Sequence, residues 1–224
     1  MKNKKVMIII IISIIVVGTI IFYFFNKNVN KKSEIGDNLS NKTNQEIEEY
    51  ILNISSYEAE LELEVQSNKN STKYKIKQSY LSPNIEKQVV EEPSNIKGLE
   101  TIYDGNTLTI NNTKLNLTTV YKDYPYLTDN YLTLNSFIQD YKTSKQTKMY
   151  EENEIIVMEV ILENESPYVK YKKLFIDKKT GKITKMEVQD KNKKNLVYIL
   201  YKEIKINSLK KDEILAFKIK EISI

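Results

Sequence analysis

From Tyr57 to Val65 the chain reads "YEAELELEV", apolar and acidic residues in strict alternation. Successive side chains of a β-strand point to opposite faces. A strand here buries Tyr57, Ala59, Leu61, Leu63 and Val65 and presents Glu58, Glu60, Glu62 and Glu64 to water. A helix would scatter both sets around its axis. "TKYKIKQSYL" (72–81) repeats the pattern, with Tyr74, Ile76 and Tyr80 on one side and lysines on the other. The joint "QSNKNS" supplies turn residues. An acidic strand face beside a lysine-bearing one predicts cross-strand ion pairs on a solvated surface.

The same period continues through "LETIYDGNTLTINNTKLNLTTV", broken by turns expected at Asp104-Gly105 and Asn111-Asn112. "EIIVMEVILE", "VKYKKLFID", "KITKMEVQD", "NLVYILYKEIKIN" and "ILAFKIKEI" (214–222) add strands at short intervals, about ten in all. Ahead of them, Thr43 and Glu46 form a capping-box pattern, followed by Ile47, Tyr50, Ile51 and Ile54 at helical spacing. A second short helix is predicted over 136–142, with Phe137, Ile138 and Tyr141 inward. The fold class is α+β: a large antiparallel sheet that must curl, with the two helices on its concave face.

Residues 6–25, "VMIIIIISIIVVGTIIFYFF", are almost wholly apolar. At about 1.5 Å per residue they match a bilayer core of about 30 Å, and an N-terminal transmembrane helix is expected. Lys2, Lys4 and Lys5 precede the run closely, which favours a cytoplasmic N-terminus and an exported remainder. A cleaved signal is the competing reading. Its apolar part is usually about 7–15 residues long and ends at small residues, whereas this run ends in Phe22-Tyr23-Phe24-Phe25. The organisation is therefore an anchor (1–25), a polar tether (26–42) and an exported domain (43–224), single-pass in the cell membrane.

All 34 basic residues are lysine, and the chain has no arginine, cysteine, histidine or tryptophan. This excludes disulfides, thiolate nucleophiles, Ser-His-Asp and Cys-His catalysis and most transition-metal sites. Without the three lysines ahead of the apolar run, 31 lysines face 30 carboxylates, a net charge of +1. A nucleic-acid footprint is not supported. Catalysis would have to come from carboxylates, and Glu91-Glu92, Glu151-Glu152 and Asp212-Glu213 are neighbours that point to opposite faces of a strand. No catalytic residue, metal or cofactor is assigned, and the chain is read as a protein without enzymatic activity.

"YKDYPYLTDNYLTL" (121–134) is the least generic stretch, with Tyr121, Tyr124, Tyr126 and Tyr131 around Pro125. Tyrosine offers contact area with a hydrogen-bonding tip, which suits an interface. These four residues are the candidate partner-binding site. Two other readings are a loop that folds its own tyrosines over the sheet and the rim of an apolar cavity.

The order of helix, "SSYEAELELEVQSNKNSTKYKIKQSYLSPNIEKQVVEEP", "GLETIYDGNTLTI" and the closing "LFIDKKTGKITKMEVQDKNKKNLVYILYKEIKINSLKKDEILAFKI" resembles LolA-like proteins. That resemblance covers roughly 43–222 and implies an incomplete antiparallel barrel with helices in its mouth. Asp177, Thr180, Gly181, Asn207 and Phe217 fall on the family's closing pattern of a D-x-x-T-G turn, an asparagine and a final strand. More narrowly, "SNKN", "YKIKQSYLSP" and "IYDGNTLTI" resemble the clostridial germination lipoproteins of the GerS type. That likeness implies a non-catalytic sporulation or germination protein on the outer side of a membrane, in the spore cortex setting or the forespore intermembrane space. Its implied partner is an N-acetylmuramoyl-L-alanine amidase-type cell-wall enzyme. The LolA-type alternative implies binding of an acyl lipid or lipoprotein, and a homo-oligomer is a further partner in view. GerS-type proteins are anchored through a lipid on cysteine; here Val6–Phe25 takes that place.

Overall fold

The computed structural model describes residues 42–67, 70–124, 132–163 and 168–209. The anchor expected at Val6–Phe25, nearly all of the tether, and the strand expected at 214–222 with Phe217 lie outside them. Among the described residues, no helix is long and apolar enough to cross a membrane.

Helix α1 (Asn44–Leu52) opens the domain. Its capping box is formed as the sequence predicts: Thr43 Oγ1 accepts from the Glu46 N–H, and the Thr43 N–H donates to Glu46 Oε2 at 2.8 Å. Strands β1 (Ser56–Gln66), β2 (Ser71–Leu81), β3 (Ile85–Glu92), β4 (Leu99–Tyr103), β5 (Leu108–Asn112) and β6 (Leu117–Tyr121) follow as an antiparallel meander. Helix α2 (Leu134–Thr143) then leads to β7 (Thr147–Glu152), β8 (Ile155–Ile161), β9 (Tyr171–Asp177), β10 (Ile183–Gln189) and β11 (Asn195–Ile206).

All eleven strands form one open sheet in the order β6-β5-β4-β3-β2-β1-β11-β10-β9-β8-β7. The first strand is therefore central, joined to the last described one, and among the described residues β6 and β7 are the two edges. Asn207 secures this seam. Its side-chain oxygen accepts from the Ser55 N–H at 2.9 Å and the Ser56 N–H at 3.3 Å, while its own N–H donates to the Ser56 carbonyl at 2.7 Å.

The predicted register of β1 and β2 holds. Tyr57, Ala59, Leu61, Leu63, Ile76 and Tyr80 are buried, while Glu60, Glu62 and Glu64 stand directly opposite Lys77, Lys75 and Lys73. Of these, Lys77–Glu60 lies at 3.5 Å and Lys73–Glu64 at 3.8 Å. Lys75 instead reaches Glu92 at 3.0 Å, and Glu62 meets Lys202 at 3.0 Å.

Ile47 and Ile51 of α1 and Leu134, Phe137, Ile138 and Tyr141 of α2 complete one core with the inner face of β1, β2 and β8 to β11. The two helices are tied by Tyr141, whose hydroxyl donates to Glu48 Oε1 at 2.6 Å. Lys172 is fully buried on the same inner face, in phase with Leu174 and Ile176, and its ammonium donates to Ser136 Oγ at 2.7 Å and Asp140 Oδ2 at 2.5 Å. It fastens α2 to β9.

Three expectations change in detail. Helix α2 is longer than the predicted 136–142, because Thr133 rather than a later residue caps it, with Oγ1 accepting from the Ser136 N–H. The turn expected at Asn111-Asn112 lies at least two residues later, at 113–116. Both asparagines remain in β5, where Asn111 Oδ1 accepts from Thr118 and Asn112 Oδ1 from the Leu115 N–H, and Asn116 takes the positive φ of 51°. Strands β3 and β7 are additional to those named from the sequence.

Candidate interaction surface

The tyrosine-rich stretch begins where β6 ends. Tyr121 closes that strand opposite Leu108. The chain then reverses at Asp123, φ 52°, and comes back over the β4–β5 turn. That turn is built by Asp104, whose Oδ1 accepts from the Asn106 N–H at 3.2 Å and the Thr107 N–H at 2.8 Å, with Gly105 at φ 99°. Asn106 in turn holds the returning chain: its side chain donates to Asp123 Oδ1 at 3.2 Å, and its carbonyl accepts from the Tyr124 N–H at 2.8 Å.

The Tyr103 hydroxyl donates to the Tyr124 carbonyl at 3.3 Å. Burial, with help from Asp104 and Glu86, raises the Tyr103 pKa above the usual phenol value, so that donor stays protonated. The Tyr121 and Tyr124 rings meet at 6.1 Å between centroids with a 54° tilt, an aromatic pair held by backbone bonds on either side. Tyr124 is half-buried and Tyr121 exposed. Tyr126 and Tyr131 lie outside the described residues.

Around the pair stand exposed apolar side chains that the sequence did not single out. Leu115 is 64% exposed, Leu117 60%, Val120 52% and Tyr121 47%. Every residue of β6 is exposed. The available signal was "LNLTTVY" itself, an apolar and threonine strand with no charge at all. Further into the same sheet, on β3 and β4, Lys87 and Glu100 form a largely buried ion pair.

The carboxylate pairs weighed for catalysis are engaged elsewhere. Glu91 meets Lys77 at 2.9 Å, Glu92 meets Lys75 at 3.0 Å, and Glu151 meets Lys178 at 2.6 Å. The bond from Lys178 lowers the Glu151 pKa, the opposite of what a general acid requires. Asp212 and Glu213 lie outside the described residues. Among the described residues, no group of three or more carboxylates is placed to hold a metal ion.

No protein-family model matches the chain, and no curated protein sequence matches it. Among solved structures, the chain is similar to one from the complex of the CwlD amidase with the GerS lipoprotein of Clostridioides difficile. Identity there is 23%, TM-score 0.46, with 71% of this chain and 91% of that one covered. A LolA-superfamily protein from Nitrosomonas europaea is 12% identical, TM-score 0.41, covering 77% and 96%. An outer-membrane lipoprotein-sorting protein domain from Vibrio parahaemolyticus is 10% identical, TM-score 0.43, covering 79% and 97%. The open strand order and the two helices on one face are the arrangement that the LolA-like resemblance implies. The residues that carried it have structural work in it. Asp177 Oδ1 accepts from the Thr180 N–H and hydroxyl at 2.7 Å each, which lowers the Asp177 pKa, and Gly181 sits at φ 65°.

Proposed function

We propose that this chain is a membrane-anchored, non-catalytic envelope protein that holds a cell-wall amidase-type partner through its tyrosine-rich segment. The observation that carries the reading is the Tyr121–Tyr124 pair, fixed by backbone hydrogen bonds beside an uncharged, exposed strand. Large apolar surface held in one conformation is what a hot spot needs, since little entropy is lost on binding. The class of partner, and the sporulation or germination setting, come from the GerS-type resemblance in the sequence.

The test is a pull-down from sporulating cells with the full chain, wild type and Tyr124→Ala/Tyr126→Ala, with proteins and lipids both identified by mass spectrometry. An identified cell-wall amidase is expected with the wild type. Interface tyrosines contribute about 1–2 kcal/mol each, so the double variant should bind about ten-fold more weakly or worse. An acyl lipid recovered in place of an amidase would favour the carrier alternative, and peptidoglycan hydrolysis by the chain alone would overturn the non-catalytic reading. A reporter fused after Lys42 should be active only outside the cytoplasm. Cytoplasmic activity would sink the topology.

A further inference from the structure

Tyr103-Asp104-Gly105-Asn106 ends β4 and turns the chain towards β5, and its groups converge on Tyr124, 21 positions beyond Tyr103. Asp104 builds the turn through the Asn106 and Thr107 N–H groups, and its own N–H donates to the Thr107 carbonyl at 3.2 Å. A Cβ at Gly105 would meet nothing within 4 Å, so its φ of 99°, and not crowding, is what calls for glycine. With the turn set, the Asn106 carbonyl receives the Tyr124 N–H and the Tyr103 hydroxyl reaches the Tyr124 carbonyl. The peptide groups on both sides of Tyr124 are thereby fixed.

Asp123 has to reverse the chain for this to happen. Its φ of 52° lies in the left-handed region, which aspartate and asparagine enter more readily than other non-glycine residues. The Asn106 side chain donates to Asp123 Oδ1 at 3.2 Å, so the same turn also holds the reversal. Tyr121, on the other side of the reversal, is fixed by its pairing with Leu108 in β5. Two rings anchored to one hairpin therefore meet in a set arrangement, 6.1 Å apart and tilted by 54°. A Tyr124 without these bonds would sample many positions, and binding would lose that freedom as entropy.

We infer that Tyr103 and Asn106 are positioning residues, which hold the Tyr121–Tyr124 pair in the arrangement that a partner meets. The consequence for binding rests on the partner-holding reading above. The positioning itself can be measured on the chain alone.

Residue-resolved hydrogen exchange of the full chain in detergent micelles gives the first readout. Tyr103→Phe and Asn106→Ala should each speed exchange of the Tyr124 amide about five-fold, the worth of one ordinary hydrogen bond. Amides of β10 and β11 should keep their wild-type rates. Asp123→Ala should act like Asn106→Ala, whereas Asp123→Asn, which keeps both the acceptor and the left-handed preference, should exchange as the wild type does. The second readout is recovery of an identified cell-wall amidase in the pull-down above, which should fall about five-fold with Asn106→Ala. Unchanged exchange at Tyr124, faster exchange throughout the sheet, or an Asp123→Asn chain that behaves like Asp123→Ala each overturns the positioning. Faster exchange at Tyr124 with undiminished amidase recovery overturns its role in binding. If the wild type recovers no amidase while the Tyr124 amide responds as stated, the positioning stands and only the partner class is refuted.

Discussion

The sheet has a sealed half and an open wing, and the same alternating sequence pattern serves both. β1, β2 and β8 to β11 lie against α1 and α2, and they supply every strand residue of the main core. β3 to β6 supply none of it, although Ile85, Ile102 and Tyr103 are buried locally. Alternation therefore sets which side chains share a face, while burial depends on what is laid over that face. Leu61 and Leu63 are buried because helices and neighbouring strands cover them. Leu117, just as apolar and just as regularly placed, stands in solvent.

A charge placed on each half tests that contrast most severely. Leu63→Asp should cost about 4 kcal/mol or more in chemical denaturation, because a carboxylate would enter the core without a partner. Leu117→Asp should change stability by less than about 0.5 kcal/mol. Equal effects would show that the wing is covered as tightly as the core.

The next largest effect concerns the ammonium inside the sealed half. Asp140→Ala leaves Lys172 buried against Ser136 without its carboxylate, which should cost about 3 kcal/mol. Lys172→Met/Asp140→Leu, which removes both charges, should recover most of the loss. If the single change costs little, α2 is held by its apolar face alone, and the fastening to β9 is incidental.

Much of this was legible in the sequence. The capping box at Thr43, the inward set on β1 and the ion pairs to β2 are local patterns, each readable within about a dozen residues. β3 was not, since Val89 and Val90 are adjacent and its register shifts against Lys75 and Ile76, so the alternation breaks. β7 was hidden for the opposite reason: as an edge strand it has almost no apolar period. Lys172 lies in phase with core residues, and only its distant partner Asp140 makes a buried lysine intelligible. At the interaction surface, the tyrosines announced themselves by clustering. Leu115, Leu117 and Val120 did not, because exposure is a property of the sheet order and no residue pattern encodes it directly.

The central position of β1 also orders events in time. β2 to β6 can each pair with the strand just before it as the chain is made, by closing short loops. The other side of β1 has no neighbour until Asn195–Ile206 has been synthesised, more than a hundred residues later. A nascent chain can thus complete its wing while Leu61 and Leu63 still lack half of their cover. Asn207, bonded to Ser55 and Ser56, is then the stitch that ties the last described strand to the first.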